Sequence, residues 1–571
     1  MSKREEKAQK EKKDRLAHLP FIVMIGVVFL ITIVVYAAMM MMPSTEIVSF
    51  HERHGLDSEQ IHIIRQDTLI TPPNPPIIIS NEIYLPVDFI KDYIDRYIFW
   101  DADLSKLTIT TDNKVIRMKT ESLNYFVNSE PMPLQLPVYE ENDIGFLPIS
   151  FVEDFYDISF VYDDEHKRII LDYDTEDRQE GITVAKKVAV RYEPHKKSPL
   201  VTTLDVDQLL TLYRETDDYT KVRTSDGTIG YVLTKHIQET QKIEAKPIPI
   251  TESHTTIGIE GKLNMAWETT KALHSFLPQG LDVISPVWFS FENTDGDIKV
   301  EGLDPKYIEL AKENGYQVWP AITDNFDPQL CYEILSNTDK REHIIKQLLA
   351  YVAMYNLDGI NIDFEAVRQD NAENFLQFMR ELSPYMKEQG VVLSVDMFVP
   401  LYTRYYNRTE LAKTVDYMMI MAYDEHHNSS PVSGPVASIG FVEAGIVATL
   451  EEVPSHKVVL GLPYYVRIWR EEQGEELYVS TRNVGMNFAR KIFSDAGATF
   501  EWQEDLACYY AEYTVIENGN TVTYRTWLED LRSIEEKLKL INKYDLAGVA
   551  GWQKGLEDYE VWPLLEQYLK P

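Results

Sequence analysis

Between Leu357 and Glu365 the chain reads Leu-Asp-Gly-Ile-Asn-Ile-Asp-Phe-Glu, and no other segment limits its architecture as strongly. In a strand, successive side chains take opposite faces, so Asn361, Asp363 and Glu365 share one side while Ile360, Ile362 and Phe364 share the other. The apolar set must pack under helices. The polar set then points into the interior of a sheet closed on itself, climbing about 6.6 Å for each two-residue step, with Glu365 outermost. Carboxylates stacked in such an interior are costly unless they are paired or used in chemistry.

From about Thr256 onward, short apolar runs alternate with amphipathic stretches of helical period. Strands are expected at Ile257 to Ile259, Val283 to Phe289, Gln317 to Ile322, Gly359 to Phe364, Val391 to Phe398, Tyr417 to Tyr423, Val458 to Leu462 and Gly548 to Trp552. Such an alternation over about 300 residues describes an α/β protein with a C-terminal (β/α)8 TIM barrel, whose active site lies at the C-terminal ends of the strands.

The acidic pair also limits mechanism. A conventional glycosidase sets its two carboxyl groups on opposite sides of the scissile bond, and neighbours on one strand face cannot flank a sugar ring. A nucleophile for that chemistry must come from elsewhere. The run Asp358-Gly359-Ile360-Asn361-Ile362-Asp363-Phe364-Glu365 resembles the signature of glycoside hydrolase family 18, in its chitinase-like spore and cell-wall branch. Met421-Ala422-Tyr423-Asp424 and Gly548-Val549-Ala550-Gly551-Trp552 resemble two later motifs of that family, and the likeness covers residues 256–571.

The resemblance implies substrate-assisted, retaining catalysis, in which the sugar's own 2-acetamido oxygen attacks the anomeric carbon. On that basis Glu365 is expected to protonate the leaving oxygen and later activate water, Asp363 to orient the acetamido N–H, and Tyr423 to hydrogen-bond the acetamido oxygen. Asp358, Asn361, Met421, Asp424 and Trp552 are expected to bind substrate, Trp552 as the apolar floor beneath the acetyl group. Asp363 should raise the pKa of Glu365, because close carboxylates resist ionising together. Many family members have Asp where this chain has Asn361, so the relay beneath Asp363 is expected to be altered.

The remaining sequence reads as an address followed by smaller pieces. Residues 1–20 form a basic tail, with Lys3, Arg4, Lys7, Lys10, Lys12, Lys13 and Arg15, and residues 21–42 are an uncharged apolar run. As a helix that run is about 33 Å long, enough to span a bilayer. The order predicts a single-pass anchor with a cytosolic N-terminus and an extracytoplasmic remainder, rather than a cleaved signal. Residues 43–80 read as a stalk around Thr71-Pro72-Pro73-Asn74-Pro75-Pro76.

In 81–175 a repeat appears at a constant offset of 62 positions, Tyr84-Leu85-Pro86-Val87-Asp88-Phe89 returning as Phe146-Leu147-Pro148-Ile149-Ser150-Phe151. Each copy reads strand, short helix, strand, turn, strand, and the two copies are expected to bury one face against each other. This small α+β tandem repeat resembles the copper amine oxidase N-terminal-like domain. One imidazole, His166, cannot build a copper site. Residues 178–240 resemble a bacterial Src-homology-3-like domain, a small all-β barrel with a hairpin turn at Ser225-Asp226-Gly227. A linker is expected at 241–255, before the catalytic barrel at 256–571.

Charge and cysteines exclude other classes. With 56 basic against 91 acidic residues the net charge is −35, a field that repels phosphate backbones, so no nucleic-acid partner is expected. Cys331 and Cys508 lack zinc-ligand spacing and read as small buried hydrophobes. His426 and His427 are adjacent and point apart, so neither metal nor cofactor is expected. The expected partner is an N-acetylated polysaccharide, peptidoglycan ahead of chitin. The alternative is a lectin-like barrel without catalysis, against which stands the retention of both Asp363 and Glu365. No sequence pattern sets the oligomeric state.

Overall fold

The computed structural model describes residues 23–36, 39–57, 59–173, 175–216, 218–246, 259, 261–269, 278–473 and 477–570. The chain divides into two compact units, one of 1–94 with 146–250 and one of 95–145 with 251–571.

In the second unit eight parallel strands close a barrel: β1 (Leu263–Glu268), β2 (Val283–Phe291), β3 (Ala321–Thr323), β4 (Gly359–Asp363), β5 (Val392–Phe398), β6 (Tyr417–Met421), β7 (Val458–Pro463) and β8 (Gly548–Trp552). They pair in chain order, and β8 to β1 completes the ring. Of the strand expected at Ile257 to Ile259, residues 257 and 258 lie outside the described residues, and the first barrel strand is a later one. It starts at Leu263, where Leu263, Met265 and Trp267 alternate into the interior with Trp319, Met419 and Ala550. Ile360, Ile362 and Phe364 face the helical layer, Phe364 stacking on Phe378, so the alternation read in this segment is realised.

Helix Thr338–Tyr355 begins where Asn337 accepts the N–H groups of Asp339 and Lys340. It lies beside helix Ala372–Gln389, which ends at left-handed Gly390. Onto these two packs a five-stranded antiparallel sheet formed by 99–133. The contact is ionic at its centre: Glu381, fully buried, accepts from Arg341 at 2.9 Å and from Arg117 at 3.1 Å. Arg380 lies 3.9 Å over the Tyr97 ring and donates to the Thr110 carbonyl. After β7 an antiparallel sheet is inserted, ending in the hairpin Cys508–Glu517 and Asn520–Leu528.

Both repeat copies have the expected order of elements, Glu82–Pro86 and Ile144–Pro148 being an antiparallel pair, but the hairpin of the first copy, at 99–110, belongs to the second unit. Their hairpins, however, enter separate sheets. A seven-stranded sheet spans Arg178–Ile243. Residues 43–80 are not a bare stalk. His62–Arg65 pairs in parallel with the strand at Arg168–Tyr173, and Phe50 and Ile64 are buried with Val190 and Val222. The prolines interrupt only 72–76, and the apolar residues before them supply a buried face. Helix Val23–Met41, of mean hydropathy 2.7, is long and apolar enough to cross a membrane. The basic tail at 1–20 and most of the linker at 241–255 lie outside the described residues. Both cysteines are buried and unbridged.

Candidate active site

At the C-terminal mouth of the barrel, a cavity of about 200 Å³ is lined by Trp267, Asp363, Glu365, Asp396, Phe398, Met421, Tyr423, Asp424 and Trp552. Asp363 closes β4, and Glu365 follows in the loop. Asp396 and Phe398 come from β5, Met421 from β6, and Tyr423 and Asp424 from the loop after it. Trp267 and Trp552 enter from the adjacent strands β1 and β8, their rings edge to face with centroids 6.0 Å apart.

Asp358 does not reach this cavity. It precedes β4 at the opposite mouth, about 23 Å of strand rise below Glu365. There its carboxylate accepts the Val318 N–H at 2.9 Å and pairs with Lys312 at 3.0 Å, and Gly359 beside it leaves room for the Trp319 ring. Asn361 is also absent from the lining. It is fully buried beneath, its amide donating to Asp396 Oδ2 at 2.6 Å and accepting from Ser394 Oγ at 2.7 Å. Both residues shape the barrel below the cavity rather than contact its contents.

Electrostatics separate the acids. Burial, then the charges of Asp324 and Asp424, push Glu365 from its ordinary 4.5 up to about 7. The leading charges on Glu365 thus come from the ends of other strands, while Asp363 and Glu365 also raise each other. Asp363 is held well above the carboxylate range by burial and then by Asp396, Glu365 and Asp324. Asp424, in a left-handed conformation at φ 58°, accepts from Arg467 Nη2 at 2.9 Å and from the Tyr465 hydroxyl. Burial keeps the Tyr423 phenol protonated far beyond neutral pH, and Gly461 on β7 makes the space for its ring. The site thus combines a carboxyl group that titrates near neutrality, a protonated phenol and two indole rings.

Trp267, Asp396, Phe398 and Asp324 were not anticipated. Trp267 was hidden by the misplaced first strand. Asp396 was legible, since Ser394, Asp396 and Phe398 share one face of an expected strand by the same alternation that singled out Asp363 and Glu365.

Residues 264–557 match the family described as glycosyl hydrolases family 18, and residues 64–171 match the copper amine oxidase N-terminal domain. A putative sporulation-specific glycosylase of Bacillus subtilis is 27% identical over 272 residues, 45% of this chain and 62% of that protein. A cortical fragment-lytic enzyme of the same species is 25% identical over 247 residues, 42% of this chain and 56% of its own length. The chain therefore spans less than two thirds of either relative. In fold, the C-terminal domain of a putative chitinase from Desulfitobacterium hafniense is similar over 55% of this chain and 100% of its own, with a TM-score of 0.50 and 23% identity.

The residues in the second match do not fit a copper ion. Among the described residues, the one cluster of three potential ligands is Asp163, His166 and Asp226, with a single imidazole, and the Arg168 guanidinium 3.9 Å from Asp226 competes for that carboxylate.

Proposed function

Because this chain belongs to family 18 of the glycosyl hydrolases, we propose that it is a glycosidase cleaving glycan at an N-acetylated sugar by substrate-assisted, retaining catalysis. One observation supports this above others. Asp363 and Glu365 rise from a single strand into one cavity, and Asp424, the carboxylate brought in by the loop after β6, is held by Arg467 and Tyr465. Among the described residues lining the cavity, the other carboxylates are Asp363 and Asp396, side by side on β4 and β5, and the tethered Asp424, which supports the substrate's 2-acetamido oxygen as the attacking group.

Glu365, with its pKa near 7, gives its proton to the leaving oxygen while the acetamido oxygen closes on the anomeric carbon. The resulting oxazolinium ion has a positive N–H that Asp363 receives, and Tyr423 donates to the acetamido oxygen. Trp552 and Trp267 pack against the acetyl methyl. Glu365, now a carboxylate, takes a proton from the water that reopens the ring from the face of the departed group, which retains the configuration.

Peptidoglycan is the preferred substrate, ahead of chitin. This rests on the likeness to a sporulation-specific glycosylase and a cortical fragment-lytic enzyme, and on a helix at Val23–Met41 fit to anchor the barrel in the cell membrane, facing the wall. The segments at 81–175 and 178–240 then space the barrel from the membrane or bind the wall. The test is mass spectrometry of products from defined muropeptides and chitin oligomers incubated with the full-length protein. New reducing ends at N-acetylglucosamine are expected, with turnover falling about 10²- to 10⁴-fold in Glu365→Gln. Release from neither substrate, equal turnover by Glu365→Gln, or equal cleavage of a substrate lacking the acetamide would each defeat the reading.

A further inference from the structure

Asp396 lies beside Asp363. The register of β4 and β5 pairs Asn361 with Ser394 and Ile362 with Val395, so the next rung sets the two aspartates on neighbouring strands about 4.8 Å apart, both facing inward. They are 3% and 5% exposed. The groups facing them are Glu365, Asp324 from the end of β3, Tyr423 and Trp267, and no lysine or arginine lines the cavity to balance a second charge.

The two oxygens of Asp396 have unlike surroundings. Oδ2 accepts twice, from Asn361 Nδ2 at 2.6 Å and from Trp267 Nε1 at 3.1 Å. Oδ1 is buried with no hydrogen-bond partner among the described residues. Ser394 fixes this arrangement, because its hydroxyl donates to Asn361 Oδ1 and so presents the amide N–H to Asp396. With Oδ2 already accepting two donors, Oδ1 is the oxygen left to carry a hydrogen if the group is neutral. Two ionised carboxylates packed together here would be far more costly.

We propose that Asp396 is the positioning residue for Asp363: a neutral acid whose Oδ1–H donates to the Asp363 carboxylate, so that the pair holds one proton and one negative charge, with Asn361 as the amide that keeps it so. The inference rests on the reading of Asp363 as the group that receives the acetamido N–H. Whichever oxygen carries the shared proton, the pair retains the single negative charge that an oxazolinium ion needs. An aspartate at 361 would offer Asp396 an acceptor where it now has a donor, so Asn361 and Asp396 form a matched pair.

The experiment is difference infrared spectroscopy of the full-length protein against the isosteric Asp396→Asn variant at neutral pH. The wild type should show the carbonyl stretch of a protonated carboxylic acid, lost in the variant. In parallel, kcat of Asp396→Asn should fall by about tenfold or more while KM changes by less than about twofold, because the loss is one of orientation. The alkaline limb of kcat/KM, set by Glu365, should stay in place, since one neutral group has replaced another.

A missing band overturns the proposal. So does an alkaline limb moved to lower pH, which would mark Asp396 as an anion whose removal eases the ionisation of Glu365. If Asp396→Asn gives no cooperative melt, Trp267→Phe, which removes one donor from Oδ2, must shift the frequency of the same band, and an unshifted band overturns the assignment. Absence of turnover on any glycan would leave the infrared result readable, so failure of the functional reading is distinguishable from failure of this one.

Discussion

Asp324 is clamped to the backbone just after the proposed acid: the Ala366 N–H donates to Asp324 Oδ2 at 2.7 Å, which joins the end of β3 to the loop that presents Glu365. A second N–H, from Phe326, donates to Oδ1 at 3.1 Å. After burial, the Asp324 charge is the leading reason that Glu365 titrates near 7. Asp324→Asn removes that charge but keeps an acceptor. Glu365 will then release its proton more readily, and the alkaline limb of kcat/KM will move to lower pH. An unmoved limb would show that Asp324 acts only on the backbone.

The raised pKa of Glu365 also has a stability consequence. A carboxyl group that titrates near 7 folded and near 4.5 unfolded binds protons more tightly in the native state, so stability declines as pH rises through that interval. Glu365→Gln abolishes the decline. At pH 8 the variant should be more stable than the wild type by about 1–2 kcal/mol, the value being discounted for partial exposure, and near pH 4 the two should converge. Denaturant titrations at both pH values check this, and coincident curves at pH 8 would contradict it.

Glu381 has the opposite sign. Burial opposes its ionisation, but the guanidinium groups of Arg341 and Arg117 prevail and hold its pKa below the ordinary 4.5. Its contribution to stability is therefore complete above that value and is lost as pH falls through the depressed folded pKa. Glu381→Ala leaves two guanidinium groups uncompensated, Arg341 being wholly buried, and should cost about 3–5 kcal/mol at pH 7. Urea unfolding should show most of that difference gone in strong acid. A small loss at pH 7 would mean that water replaces the carboxylate.

The acidic strand was legible because its chemistry and its period coincide: the inward residues are polar, so one pattern reports both fold and site. The same contiguity misleads about extent. Asp358 and Glu365 belong to one sequence motif but to opposite ends of the barrel, and only strand rise separates a staple on Val318 from the proposed proton donor. Trp267 depended on where β1 begins, which Gly261 at φ 77° obscures by ending one local pattern just before another starts. The pairing of His62 with Arg168 joins residues more than a hundred positions apart, so local proline content hid the strand before it. The repeat correctly forecast local elements in both copies, but not that the hairpin of the first would meet Arg380 at Thr110, nor that the strand after it would bring Arg117 to Glu381 on the same barrel helix.

Two glycines offer matched tests of the two mouths. A Cβ on Gly461 would lie 2.6 Å from the Ile420 carbonyl oxygen and 3.0 Å from the Tyr423 ring, whereas one on Gly359 would lie 2.8 Å from the Trp319 ring and 2.9 Å from the Val392 carbonyl oxygen. Both meet backbone that cannot yield, so Gly461→Ala and Gly359→Ala should each destabilise the barrel by about 1–3 kcal/mol. They should part in kinetics. Gly461→Ala displaces the phenol proposed to hold the acetamido oxygen and should lower kcat/KM per folded molecule by about tenfold or more. Gly359→Ala disturbs Trp319 beneath the cavity and should leave that ratio within about threefold. The measurement is kcat/KM on a defined N-acetylated oligosaccharide, corrected for the folded fraction from thermal melts. Equal kinetic losses in the two variants would mean that Tyr423 acts through general packing rather than through its hydroxyl.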